Sequence, residues 1–264
     1  LPIINEDINE EWISDKSRYA CDGLLSQRLD TPYIKYNKKF EKASWDEVYN
    51  IIKSKIKNTD KDKICGFVGD LTNMETSFIF KEFFERTLNT NNYESRSTQS
   101  FIDNSVRENY LFNSTINGIE ETDFILLIGA NPRFEATMVN ARIRKAYLNN
   151  DTCIFSLNDV GDLTYSYKSL DGKMHTIKDI IENNNEVSKK IIDSKKPMII
   201  FGESFLNTKS ASYLFYSFKE FLIKNNKFND EWNPLNILST DAATVGNLDL
   251  DISNEKKDLI DELN

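Results

Sequence analysis

The sequence predicts an α/β fold: a parallel sheet with helices packed on both faces. Three observations carry that expectation. Short apolar runs, ICGFVG (64–69), FILLIG (124–129), TCIFSL (152–157) and PMIIFG (197–202), lack the polar alternation of a strand with one wet face, so each reads as a strand buried on both sides. Stretches with a 3.6-residue apolar period separate them, and strands alternating with helices build parallel sheets. The third observation is DFILLIGANPRFEA (123–136), an apolar run that ends in Gly-Ala-Asn-Pro and passes at once into a helical pattern. That is where α/β proteins commonly hold a phosphate or a cofactor.

The elements follow in order. Ser44-Trp45-Asp46-Glu47 is a capping box, with the Ser44 hydroxyl placed to accept from the Glu47 amide and the Glu47 carboxylate to reach back. A helix is expected over 45–57, with Val48, Ile51, Ile52 and Ile56 on one face, until KNTDKDK ends it before the strand at 64–69. Thr72 and Glu75 repeat the capping signal ahead of a second helix, whose Phe78, Phe80, Phe83, Phe84 and Leu88 predict that most of it is buried. An extended piece at 93–96, a helix at 103–112 and the strand at 124–129 come next. A helix over 134–149 leads to the strand at 152–157. TIKDIIEN and VSKKIID are helical patches before the strand at 197–202, and a long helix covers 209–224. Residues 234–238 and 244–250 fit neither period clearly, and SNEKKDLIDELN (253–264) reads as a charged helical end.

Composition narrows the function. The 264 residues suffice for one large α/β domain or two lobes. Forty-two acidic against 33 basic residues give a net charge of -9, which argues against a non-specific hold on nucleic acid. No apolar run reaches the length of a membrane span, and LPIINEDINEEW has neither the basic start nor the apolar core of a signal peptide. Cys21, Cys65 and Cys153 are far apart and His175 is the only histidine, so a zinc site or iron–sulfur cluster made by this chain alone is not expected. The opening Leu-Pro-Ile-Ile reads as the end of a strand, so a preceding piece is expected.

Candidate chemistry centres on the turn after residue 128. Arg133 and Glu135 flank its mouth, where they would grip and orient an anion, or else pair with each other, with backbone carbonyls or with a neighbouring subunit; the structural role is preferred. One Gly129 is not a GxGxxG fingerprint, and GANPRFEA lacks the GK[ST] of a phosphate loop. Asn140, Arg142, Arg144 and Lys145 are read as a solvated or interface-facing basic edge. Glu6, Asp7, Glu10 and Glu11 have no calcium-loop spacing and are read as surface or partner contacts, and His175 as structural.

INEDINEEWISDKSRYACDGL (4–24) closely resembles the stretch that follows the iron–sulfur domains in the family of 75 kDa subunits of respiratory complex I, the NADH:ubiquinone oxidoreductase. The resemblance continues in order through QRLDTPYI, ASWDEV, NSTINGIEETDFILLIGANPRFEA, NARIRK, DLTYSY, KKPMIIFG and WNPLNIL, to about residue 250. NEDINEEWISDK and GANPRFEA with NARIRK are highly specific; RLDTPYI and ASWDEV are shared with the wider molybdopterin oxidoreductases.

The resemblance implies a connecting segment, 1–43, after an iron–sulfur region outside this chain. It implies next a Rossmann-like molybdopterin-oxidoreductase-type α/β domain, 44–264, incomplete at its C-terminal end. Iron–sulfur clusters then belong to the preceding part or to a partner chain, with no catalytic or metal-binding residue here. In molybdopterin enzymes the turn that GANPRFEA resembles helps bind the cofactor, and the metal ligand comes from the preceding segment, here ESRSTQSFIDNSV (94–106). That segment has no cysteine, and Ser97, Ser100 and Asp103 remain candidates. Complex I subunits of this kind are taken to have lost the cofactor, so Gly129, Asn131 and Arg133 are expected to be a relic site with a structural job.

The implied function is a scaffold of the peripheral arm that supports electron transfer from NADH to ubiquinone. The implied partners are other peripheral-arm subunits, above all the iron–sulfur part of the same subunit, with no nucleic acid and no membrane span. The implied location is the matrix side of the mitochondrial inner membrane, or the cytoplasmic face of a bacterial one. The alternative is a fragment of an active molybdopterin-dependent oxidoreductase. Residues 1–18, with Ile3, Ile4, Ile8, Trp12 and Ile13 among acids, are expected to pack on the cluster domain or on their own domain.

Overall fold

The structure, a computed structural model, describes residues 2–95 and 100–252, apart from the side chain of Met174. Contacts gather the chain into two units, Asp15–Ser97 with Gly246–Asn264 and Leu1–Ser14 with Thr98–Val245. This grouping reflects contact within the chain, whereas the boundary at residue 43 reflects family resemblance.

The smaller unit holds α1 (Asp15–Tyr19), the hairpin of β1 (Tyr33–Tyr36) and β2 (Lys39–Lys42), α2 (Trp45–Lys57), β3 (Gly66–Phe67), α3 (Met74–Glu82) and β4 (Tyr93–Glu94). The capping box of α2 is present: Ser44 Oγ accepts from the Glu47 N–H at 3.3 Å, and the Ser44 N–H donates to Glu47 Oε2 at 2.7 Å. The hairpin has no counterpart in the sequence reading. Its turn residues Asn37 and Lys38 both have positive φ, 45° and 69°, which matches strand twist, but Lys38 is not a residue that signals such a turn.

α3 departs from expectation twice. Its cap is Asn73 and not Thr72, with Asn73 Oδ1 accepting from the Thr76 N–H at 2.9 Å. It is also not mostly buried, since Phe78, Ile79 and Phe83 are exposed. β3 and β4 form a ribbon of only two short parallel strands, which covers one stripe of apolar side chains, Phe80, Phe84 and Leu88, packed with Val68, Tyr93 and Ile252.

The larger unit is built on a five-stranded, wholly parallel sheet. Its elements are β5 (Phe124–Ile128), α4 (Pro132–Glu135), α5 (Thr137–Asn150), β6 (Cys153–Ser156), β7 (Lys168–Ser169), α6 (Met174–Ile181), α7 (Glu186–Asp193), β8 (Pro197–Gly202), α8 (Glu203–Leu206), α9 (Ala211–Lys224) and β9 (Leu235–Leu238); α10 (Thr244–Asp249) starts here and continues, from Gly246, in the smaller unit. The strand order is β7-β6-β5-β8-β9. Alternate side chains along each strand face opposite layers. Phe124, Leu126, Ile128, Ile199 and Phe201 meet α6, α7 and α9, while Ile125, Leu127, Ile154, Met198 and Ile200 meet α5 and Ile119. All five residues of β5 are buried, which is why its sequence shows no alternation.

Two helices expected from sequence are different. Residues 103–112 form a loop with one 3-10 turn, Arg107–Asn109. The Asp103 carboxylate accepts from the Ser105 N–H at 2.9 Å and from the Asn109 amide, and this local bonding competes with a helix. The helix expected over 134–149 is broken at Ala136 (φ -149°, ψ 73°) into α4 and α5. The unassigned 234–238 and 244–250 supply β9 and α10. The helical end expected at 253–264 lies outside the described residues, as does Arg96.

Candidate functional site

β5 lies between β6 and β8, and the chain leaves β5 toward β6 on one side and β8 toward β9 on the other. Ligands of open α/β sheets sit at such a reversal, in the crevice beyond the carboxyl ends of the strands. Here that crevice lies between the turn at Gly129, after β5, and the turn at Gly202, after β8.

Protein fills it. Gly129 has φ +64°, and a Cβ on it would stand 2.5 Å from the Phe205 backbone nitrogen and 2.6 Å from Phe205 Cβ. A Cβ on Gly202 would collide with the Gly129 carbonyl and with Ala130. Ser204 Oγ donates to the Gly129 carbonyl at 2.8 Å, tying one turn to the other. Among the described residues two small cavities line it. One of about 200 Å³ is lined by Gly129, Asn158, Ile177, Ser204, Phe205 and Leu214 among others. The second, of about 90 Å³, is lined by Gly129, Ala130, Asn131, Glu135, Ser156, Asn158, Val160 and Ser204. Both fall below the roughly 300–1,000 Å³ of typical small-molecule sites.

Among the described residues, the charge lining these two cavities does not suit a phosphate. Neither cavity is lined by a lysine or an arginine. Glu135 is there instead, with its carboxylate accepting from the Asn131 N–H at 2.9 Å. Burial pushes the Glu135 carboxyl above its ordinary range, the Asn131 N–H opposes this in part, and the charge of Glu203 adds to the rise. The described residues lining these two cavities do not fit a pterin dinucleotide, which needs room for two ring systems and donors for its phosphates.

The polar residues of the turn and of α5 grip the loop between β6 and β7. Asn131 Nδ2 donates to the Val160 carbonyl at 3.0 Å, Arg133 Nη1 to the Asp162 carbonyl at 2.5 Å and carboxylate at 2.7 Å, and Asn140 Nδ2 to the Leu163 carbonyl at 3.1 Å. Arg144 donates to the Thr164 carbonyl, and Tyr165 donates to Asn140 Oδ1 at 2.9 Å. Four carbonyls from 160 to 164 are therefore held by four side chains, and Leu163 is driven fully into the core. Arg133 pairs with Asp162, and Glu135 does not share that pair.

The basic edge is not uniformly solvated, which corrects the sequence reading. Arg142 is 5% exposed, with its guanidinium donating to Glu120 and to the Glu6 carbonyl. Lys145 lies 2.6 Å from Glu10 and 3.0 Å from Glu120. Glu10 and Asp7, read as surface or partner contacts, bond within the chain, with Asp7 Oδ1 accepting from Asn117 Nδ2 at 3.0 Å.

The candidate ligands are likewise committed or undescribed. Asp103 is buried and also accepts from the Tyr216 hydroxyl at 2.7 Å, and these hydrogen bonds outweigh the upward push of burial to hold its carboxyl below the ordinary range. Ser100 is buried, and Ser97 lies outside the described residues. Among the described residues no group of three His, Cys, Asp or Glu side chains is placed to hold a metal ion. His175 lies 3.4 Å from Asp171 on an exposed helix face. The residues that sequence reasoning missed are Ser204, Phe205 and Leu163, since no local pattern tells a buried plug from an ordinary turn.

Comparison with known proteins adds the lineage. The molybdopterin oxidoreductase family matches residues 28–263, and the NADH-ubiquinone oxidoreductase NDSU1/NuoG-like 4Fe-4S domain matches residues 1–22. The chain is similar to the NADH-ubiquinone oxidoreductase 75 kDa subunit of Reclinomonas americana, 36% identical over 97% of this chain and 39% of that protein. It is 38% identical to the mitochondrial NADH-ubiquinone oxidoreductase 78 kDa subunit of Candida albicans, over 95% of this chain and 35% of that protein. To an NADH-quinone oxidoreductase subunit of Rickettsia bellii it is 36% identical, over 95% of this chain and 37% of that protein. The chain thus spans less than two fifths of the length of these relatives.

Proposed function

This chain belongs to the molybdopterin oxidoreductase family, and from that premise we propose that it is a structural, non-catalytic part of a 75 kDa-type subunit of respiratory complex I. In this reading it supports electron transfer from NADH to ubiquinone by holding neighbouring iron–sulfur protein in place, and carries no redox centre of its own. The observation that carries it is how closely the two turns at the crevice approach each other among the described residues. Where the fold would seat a cofactor, Phe205 occupies the space against Gly129, and the loop at 160–164 is held down by Asn131, Arg133, Asn140 and Arg144. Gly129, Asn131 and Arg133 are then a relic site retained for packing.

Residues 1–43 serve in this reading as the connecting segment and 44–264 as the molybdopterin-oxidoreductase-like domain. The clusters sit in protein joined to or touching residues 1–22, which match a 4Fe-4S domain. The partners are peripheral-arm subunits, and no helix among the described residues is long and apolar enough to cross a membrane. The location is the matrix side of the mitochondrial inner membrane or the cytoplasmic face of a bacterial one, in keeping with relatives of both kinds. Affinity purification of the tagged chain from its source is the test. Stoichiometric recovery with an NADH:ubiquinone oxidoreductase supports the proposal, and recovery alone or with unrelated proteins refutes it.

A further inference from the structure

We propose that the smaller cavity beside β5 is a binding site for one monovalent cation, held by Asn131, Glu135 and Ser156. The ion would pin the turn after β5 to the end of β6, and the proposal stands independently of the function proposed above. The cavity, of about 90 Å³, is lined by all three residues and by Ser204. Its volume is that of a few liquid waters, at about 30 Å³ each, so it takes an ion with one or two waters and nothing larger.

Two oxygens in this lining are unused. Asn131 Oδ1 and Ser156 Oγ are buried and have no hydrogen-bond partner among the described residues. Ser156 is 1% exposed, at the carboxyl end of β6. Rotating the Asn131 amide does not cure its orphan, because Asn131 Nδ2 donates to the Val160 carbonyl at 3.0 Å and exchanging the two atoms would set oxygen against oxygen. Buried polar atoms are almost always paired, so two unpaired oxygens in one small cavity point to a ligand held there.

Charge decides which ligand. Glu135 brings a carboxylate that accepts from the Asn131 N–H at 2.9 Å. Burial and the charge of Glu203 both weigh against its ionised form, and no lysine or arginine lines the cavity to balance it. The donors nearby are committed, the Ser204 hydroxyl to the Gly129 carbonyl and the Asn131 amide to Val160. The cavity therefore offers two neutral oxygens and one carboxylate, and a cation satisfies all three while supplying the missing positive charge. One carboxylate suits a single charge. Calcium takes about six to eight oxygens with several carboxylates among them, and among the described residues no three acids, histidines or cysteines gather to hold a metal ion.

Melting of the purified chain tests this, in choline chloride with potassium, sodium or ammonium exchanged in at constant ionic strength. Choline is too large to enter. Tm should rise with at least one of the small cations and then saturate, as binding to the folded state alone requires. Ser156→Ala loses no side-chain hydrogen bond among the described residues, and should raise the half-saturating concentration on the order of fivefold, the loss of one neutral ligand. Glu135→Gln should melt higher than the parent in choline, where the carboxylate lacks a counterion, and should lose the saturating rise. Crystals soaked in rubidium chloride locate the ion, with one anomalous peak expected between Asn131, Glu135 and Ser156. No rise beyond choline would leave these oxygens to water and overturn the proposal. So would an equal rise in the parent and both variants, a response to calcium or magnesium alone, or rubidium found elsewhere or not at all.

Discussion

Gly129→Ala asks whether the crevice is filled or merely narrow. Two costs add at this residue. A side chain held at φ +64° costs about 1–2 kcal/mol, because the left-handed region crowds Cβ against the backbone. The new methyl would also stand 2.5 Å from the Phe205 nitrogen, 2.6 Å from its Cβ and 2.9 Å from its Cα, and forcing a methyl into a packed region costs about 1–3 kcal/mol. The sum is about 2–5 kcal/mol, which in a protein of this size lowers Tm on the order of 5–15 °C. Gly161→Ala is the control, since Gly161 has φ +78° but nothing within 4 Å of its Cβ position, so only the backbone cost of about 1–2 kcal/mol applies. Phe205→Ala should not rescue Gly129→Ala, because the atoms in the way are backbone and Cβ. Thermal and denaturant unfolding of the purified chain give the comparison. A Gly129→Ala variant no less stable than Gly161→Ala would show that Phe205 yields, and that the crevice is not a packed core.

Three further outcomes are expected. Glu135 has its folded pKa raised, so its ionisation opposes folding as pH climbs from about 4.3 through the folded value; Glu135→Gln should raise Tm at pH 7.5 and change it little at pH 4, and equal shifts at both would refute the assignment. At Asp123 burial disfavours the charge, yet hydrogen bonds from the Ser194 hydroxyl and the Lys195 and Lys196 N–H groups outweigh it and lower the pKa. Its contribution is therefore present above about pH 3.9 and lost as pH falls through the lower folded value, and Asp123→Asn should flatten the acid limb of a stability curve that otherwise drops there. Arg133→Ala breaks a partly exposed pair worth less than about 1 kcal/mol, so it should speed amide exchange at 162–164 and reduce assembled complex more than turnover per complex. Normal assembly with lost turnover would count against a structural role.

Most of the sheet was legible because its strands are buried on both faces and end abruptly. PMIIFG and FILLI stand out as unbroken apolar runs, and the Ser44 to Glu47 box marks the start of α2 at the observed residue. Short elements were not legible. β7 is two exposed residues, and β9, LNIL, carries a buried Asn236 whose amide is satisfied only by the distant Ser114 and by Pro234. The expected helix over 103–112 failed because Asp103 bonds Ser105 and Asn109 locally and Tyr216, 113 residues away, and the last partner leaves no trace in local periodicity. At the crevice the sequence located the turn and its polar residues correctly in the chain. What they hold depends on the path of the 158–167 loop, a tertiary fact. Arg142 shows the same limit, since its neighbours Arg144 and Lys145 on α5 are far more exposed while Arg142 is enclosed by Glu120 and residues 6–10.

The filled crevice is tested most directly by assaying molybdenum, tungsten and pterin on the chain isolated in its native assembly. The metals would be measured by elemental mass spectrometry and the pterin by fluorescence after oxidative release. The expected result is each of them far below one equivalent per chain while the assembly retains its iron. Molybdenum or tungsten at one equivalent together with released pterin would contradict it, and would make Gly129, Asn131 and Arg133 parts of a working cofactor site.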